Sequence, residues 1–144
     1  MVLSILYPLN HNYKFHQDHI HPKKYFSHKE LIKLGIENEN SREQYLNSYN
    51  SISNLQLIQE TENLEKNAAP FVEWLHKNYK EDDLINYKNL HFIPKDIDLP
   101  MENYLDFYSS RRDIMKAKLM LLLKVDSKTS IIEDEEELIE EELA

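Results

Sequence analysis

The chain has 144 residues and a mass of 17.3 kDa, one domain by length and long enough to bury a real core. Its single glycine, Gly35, excludes phosphate cradles built on glycine-rich loops, and the absence of cysteine excludes disulfides, cysteine-ligated zinc and thiol catalysis. A formal net charge of −9 speaks against a nucleic-acid partner until its distribution is read. Ile131 to Ala144 holds eight carboxylates and no Lys or Arg, while the other 130 residues carry 17 basic against 18 acidic side chains.

The charge divides the chain into a body over 1–124 and an acidic segment over 125–144, expected to be a flexible or frayed-helix tail because like charges repel one another. The opening stretch from Met1 to Lys33 is locally positive. Lys14, Lys23, Lys24, Lys29 and Lys33 stand there against Asp18 and Glu30, beside His11, His16, His19, His21 and His28. No run approaches the ~18 apolar residues of a membrane span. The Val2–Tyr7 run is too short for a signal-peptide core and lacks a basic start, so the expectation is a cytoplasmic protein with no membrane partner.

In chain order, residues 1–7 read as an apolar helical segment stopped by Pro8. Tyr13 to Ile20 alternates and ends before Pro22, as a short strand does. Ser27 and Glu30 form a capping box and Gly35 a stop, predicting a helix over Lys29–Leu34. Ser41 to Tyr49 reads as a helix beginning at the serine, and Leu55 to Ile58 as a short strand. Thr61 opens a helical turn running towards Pro70, which starts a helix through about Tyr79. A further helix is predicted over Glu81–Leu90, then a proline-bounded connector from Ile93 to Pro100. The longest helix runs from about Met101 to Lys124, with Leu105, Tyr108, Arg112, Met115, Leu119 and Leu122 on one face. Leu119 to Leu123 is apolar all round, which predicts burial on both sides or a partner surface. The fold class is α+β, mostly helical, with two short strands near the histidines.

The densest chemistry is Phe15-His16-Gln17-Asp18-His19-Ile20-His21-Pro22. A carboxylate holds a hard cation, and a neighbouring neutral imidazole takes a proton from water near neutral pH. On a strand, adjacent side chains point to opposite faces, so Asp18 and His19 converge only across a bend. A second piece places Asn54 at the start of an apolar strand and Asn63 nine residues later in a helix, with Lys66 three positions on. Taken singly, an Asp-His pair is more often a surface ion pair, and these asparagines more often turn and helix-surface residues.

Together, Asp18-His19-Ile20-His21-Pro22, Asn54-Leu55-Gln56-Leu57 and Asn63-Leu64-Glu65-Lys66 resemble the HNH, or ββα-metal, nuclease family. The step between the two asparagines is also similar to that in the HNH domain of RNA-guided CRISPR nucleases. The flanks Leu3 to Pro8, Glu73-Trp74-Leu75, Phe92-Ile93-Pro94 and Phe107 to Arg112 resemble the C-terminal nuclease regions of GmrSD-like restriction and phage-defence proteins. The likeness covers about residues 3–124. Two features differ from that pattern. A nucleotide-dependent domain normally precedes the nuclease region and is not among these residues, and the third HNH position is Asn63 instead of histidine.

The resemblance implies a ββα-metal finger, a β-hairpin plus a helix, embedded in a helical domain. It implies a metal-dependent endonuclease that hydrolyses DNA phosphodiester bonds, with RNA left open, in restriction or phage defence. In the catalytic set, His19 is the expected general base and Asn54 braces its loop. Asp18 and Asn63 are the expected metal ligands, for Mg²⁺ or Mn²⁺. His16 is a candidate orienter or extra ligand, and Lys23, Lys24 and Lys66 are candidate phosphate contacts. Expected partners beyond DNA are a separate regulatory domain of the N-terminal type, or self-association through apolar helices. Two other readings compete: a histidine-rich Zn²⁺ site drawn from His16, Asp18, His19 and His21, and an inactive nuclease-like interaction module. The charge division has a direct test. At low salt, the chain ended after Lys124 binds DNA more tightly than the full chain, as measured by fluorescence anisotropy; equal affinities would show the tail to be inert.

Overall fold

The histidine-bearing segment and the apolar run from Leu55 form two strands that pair with each other. In the computed structural model the described residues are 2–8 and 12–123, and the tail expected over 125–144 lies outside them. The chain begins with α1 (Val2–Leu6), then β1 (Phe15–His19). Residues 20–54 carry α2 (His28–Lys33) and α3 (Glu39–Ser48), with short 3-10 turns at Lys23–Tyr25 and Ile52–Asn54. β2 (Leu55–Gln59) then runs antiparallel to β1, with Asp18 opposite Gln56 and His19 opposite Leu55. α4 (Glu60–Lys66) leaves β2 with no intervening loop and packs on both strands. α5 (Phe71–Asn78), α6 (Glu81–Leu90) and α7 (Tyr104–Leu122) complete an α+β domain that is mostly helical around one two-stranded sheet.

Local chemistry explains most of these boundaries. Ser27 Oγ accepts the Glu30 N–H at 3.2 Å, which starts α2. At its other end the Gly35 N–H donates to Ile32 O at 2.9 Å and the Ile36 N–H to Leu31 O at 3.0 Å. That double closure requires a left-handed residue, and Gly35 takes it at φ +88°. α3 starts two residues before the expected serine, because Asn38 Oδ1 accepts the Ser41 N–H at 2.9 Å and serves as the cap instead. Pro70 precedes α5, whose Phe71, Trp74 and Leu75 are buried at helical spacing.

α7 departs from its expected face. Tyr104, Phe107, Arg111, Met115 and Leu119 are the buried stripe, so the first half is shifted by one residue from Leu105, Tyr108 and Arg112. The aromatic pair Tyr104 and Phe107 wins the core positions, sealing it against Phe26 and Phe71. Nor is Leu119 to Leu123 buried all round. Leu119 is buried under α1, whereas Leu121 is 77% exposed and Leu122 and Leu123 are each 43% exposed.

The buried side chains gather in two cores. The larger gathers Ile20, Leu31, Tyr45, Phe71, Leu75 and Phe107 among others; the smaller joins Leu3, Leu6 and Tyr7 to Leu55, Met115 and Leu119. Among the described residues no helix is long and apolar enough to cross a membrane. The larger core also holds His21, ringed edge-on by Phe71, Tyr104 and Phe107. Burial, then the Lys66 and Arg111 charges, push its pKa down to about 3 from the usual 6.5, and burial with Arg111 does the same to His91. Below about pH 6.5 the unfolded chain takes up protons that the folded one refuses, so stability falls as pH drops towards about 3. Urea midpoints measured over that window should decline, and His21→Phe, which keeps a ring and removes the titrating nitrogen, should decline less steeply.

Candidate functional site

Strand alternation divides the candidate residues of β1 between its two faces, and helix periodicity sets α4 against one of them. His16 and Asp18 project to the face of β1 covered by α4, while Phe15, Gln17 and His19 project to the other. Because α4 follows β2 directly, its Glu60, Asn63 and Lys66, spaced one turn apart, lie along β1. Glu60 Oε1 is 3.3 Å from Lys14 Nζ and 3.5 Å from His16 Nε2. Lys66 Nζ is 3.0 Å from Asp18 Oδ2. Asn63, half-buried, falls between these two anchor points on the same helix face.

Asp18 is held from two sides. Gln56, opposite it in the register, donates its Nε2 to Asp18 Oδ2 at 2.9 Å, and the Tyr87 hydroxyl donates to Gln56 Oε1 at 2.6 Å. The Lys66 ammonium donates to Asp18 and also to the His19 carbonyl at 2.8 Å. Lys66 is fully buried; its burial lowers its pKa and the adjoining Asp18 opposes that shift. Expected as a phosphate contact, Lys66 is instead turned inward and committed to Asp18 and the His19 carbonyl.

His19 ends β1 and is half-buried, with Nε2 at 2.7 Å from Asn50 Oδ1 and its ring beside Tyr49. With Asn50 Oδ1 as acceptor, Nε2 carries the proton and Nδ1 keeps the lone pair. Asn54 is wholly buried and clamps the segment that follows. Its Oδ1 accepts the His21 N–H at 3.0 Å, and its Nδ2 donates to His21 O at 3.1 Å and Tyr49 O at 3.0 Å. The Asn54 carbonyl accepts the Ile20 N–H at 2.8 Å as well. Asn54 thus joins the exit of β1 to the turn that carries Asn50.

The remaining candidates separate. His16 shares the Asp18 face and meets Glu60, but His19 leaves the opposite face and His21 is sealed in the core. The four groups of the imagined zinc cluster therefore do not converge, because alternation and the Asn54 clamp send them in three directions. No group of three His, Asp or Glu side chains suited to a metal occurs among the described residues. Asp18, and Asn63 on the helix packed against its strand, remain as candidate oxygen donors. That donor set fits a hard cation such as Mg²⁺, which takes one or two protein oxygens and keeps water and phosphate in its other positions. Lys23 and Lys24 are exposed on the turn just beyond His21-Pro22, with Lys24 Nζ 5.0 Å from the Tyr25 ring centroid.

Three residues of this arrangement went unmarked in the sequence: Asn50, Gln56 and Tyr87. Gln56 left one signal, a polar residue interrupting the apolar run Leu55-Gln56-Leu57-Ile58. Asn50 and Tyr87 left none, since only the folded loops bring them in. Compared with known proteins, the chain matches no protein-family model and no curated protein. The clamp has a measurable weight. Asn54→Ala leaves the His21 N–H and two carbonyls without that partner, and urea denaturation should show a loss of about 2–4 kcal/mol.

Proposed function

We propose that the chain is a metal-dependent endonuclease of the HNH, or ββα-metal, type that hydrolyses phosphodiester bonds in DNA. The observation that carries this reading is the β1–β2–α4 unit. Asp18 and Lys66 pair where α4, the helix that carries Asn63, packs on β1, and His19 leaves the other face of β1 at the strand end with its Nε2 on Asn50. The motif resemblance over Asp18-His19, Asn54 and Asn63 supports the same reading, and with it a setting in restriction or phage defence.

Asp18 and Asn63 would hold a divalent cation, Mg²⁺ or Mn²⁺, through oxygen. When bound, the cation stabilises the charge that builds on the phosphate and on the leaving oxygen. His19 supplies the base: Asn50 takes the Nε2 proton in a hydrogen bond, and Nδ1 is the nitrogen that removes a proton from the attacking water. Asn54 keeps that ring in position by fixing the backbone on both sides of it. Lys23 and Lys24, exposed beyond the strand end, give the nucleic-acid backbone two positive charges to meet. Lys66 acts from below, neutralising Asp18 and tying it to the His19 carbonyl.

A second reading, an inactive module that docks a partner, rests on the exposed Leu121, Leu122 and Leu123 at the end of α7. Nicking of plasmid separates the two, since a docking module leaves DNA intact whatever its size in solution. Purified protein with Mg²⁺ or Mn²⁺ should nick supercoiled plasmid. His19→Ala should slow nicking by about 100-fold or more while circular dichroism and thermal melting stay unchanged. Asn50→Ala should slow it less, because the base remains but loses its orientation. Undiminished nicking by His19→Ala would overturn the assignment of the base.

A further inference from the structure

Gln56 is wholly buried in a strand whose neighbouring positions are leucine and isoleucine. A buried amide is costly unless both its ends are bonded, and here both are. Its Oε1 accepts the Tyr87 hydroxyl at 2.6 Å, and its Nε2 donates to Asp18 Oδ2 at 2.9 Å. The direction of this chain is set by Asp18: its carboxylate, paired with Lys66, only accepts, which turns the Gln56 amide N–H towards it and leaves Oε1 to accept from the Tyr87 hydroxyl. Lys66 Nζ reaches the same oxygen, Asp18 Oδ2, from α4 at 3.0 Å. Two donors therefore crowd Oδ2, and Oδ1 is the carboxylate oxygen with no donor among the described residues.

We propose that Gln56 and Tyr87 are positioning residues for metal binding: through one hydrogen-bonded relay they orient the Asp18 carboxylate so that Oδ1 is the oxygen offered to a divalent cation. This rests on the reading of Asp18 as a metal ligand. The relay uses α6 to set a carboxylate on β1, with β2 as the intermediary. Metal affinity is the quantity it governs, because a carboxylate left free to rotate presents the correct oxygen only part of the time.

The test uses the full chain and Mn²⁺ alone, without nucleic acid, by calorimetric titration and by the electron paramagnetic resonance signal of free Mn²⁺. Tyr87→Phe keeps the ring packing against Trp74, Tyr79 and His91 and removes only the donor. Gln56→Met removes the amide at similar size. Each should raise the Mn²⁺ Kd by about 10-fold or more, and the double variant should be no weaker than the worse single one, because both act through the same bond. Thermal melts report folding separately, and a purely structural role would lower the melting temperature with Kd unmoved. Wild-type Kd in either folded variant, or a double effect equal to the product of the single ones, overturns the relay. Asp18→Asn is the control for the reading beneath it. Mn²⁺ binding that is absent from wild type, or that survives Asp18→Asn, removes Asp18 as a ligand and the relay with it. Asp18-dependent binding with unchanged Kd in the variants removes the relay alone.

Discussion

The buried ion pair between Lys66 and Asp18 is the contact on which the site depends. An ammonium and a carboxylate taken from water into a protein interior are each costly to desolvate, and their attraction offsets that cost only with good geometry and further hydrogen bonds. Both conditions are met. Lys66 Nζ has the Asp18 carboxylate and the His19 carbonyl as acceptors, and Asp18 has the Gln56 amide as a second donor. The pair therefore contributes less to net stability than to uniqueness. α4 can settle on the sheet in only one rotation, because any other strands a charge without a partner. That rotation carries Asn63 to the surface of β1.

A sheet of two five-residue strands is marginal by itself. It persists because α4 packs on both strands, because Leu55 joins the smaller core, and because Asn54 ties its open end. Residues 20–54 leave β1 and return to β2, and closing such a long excursion costs entropy that local contacts must offset. The Asn54 amide and carbonyl do so where the two ends meet, at Ile20, His21 and Tyr49. Burial of His21 among three aromatic rings anchors the same point from the core side, at the cost of a buried Nε2 with no hydrogen-bond partner.

What the sequence made legible was local. Ser27 and Gly35 bounded α2 because capping chemistry acts within a few residues, and Pro70 marked the start of α5 for the same reason. The strands around Asp18 and Leu55 were readable because strand alternation and apolar runs act over a few residues. The failures were tertiary. Asn38 replaced Ser41 as a cap because both suit the role and packing chose between them. The α7 stripe shifted because Tyr104 and Phe107 fill more core volume than Leu105 and Tyr108 do at those positions. Lys66 read as a phosphate contact because nothing near it in the chain announces a carboxylate 48 residues earlier. Asn50 and Tyr87 were invisible for that reason too, since their partners are set by loops whose paths no short pattern encodes.

The direct passage from β2 into α4 has a consequence for how such a chain can vary in length. Each residue of an α-helix turns its successor by about 100°, so an insertion or deletion between Gln59 and Asn63 would swing Asn63 and Lys66 away from β1 together. One lost residue there is equivalent to losing both side chains at once. The excursion over residues 20–54 carries no such phase constraint, because its ends are fixed by Asn54 and its middle is two capped helices. Length change is tolerable between α2 and α3 and intolerable at the strand–helix junction, a division that follows from geometry alone.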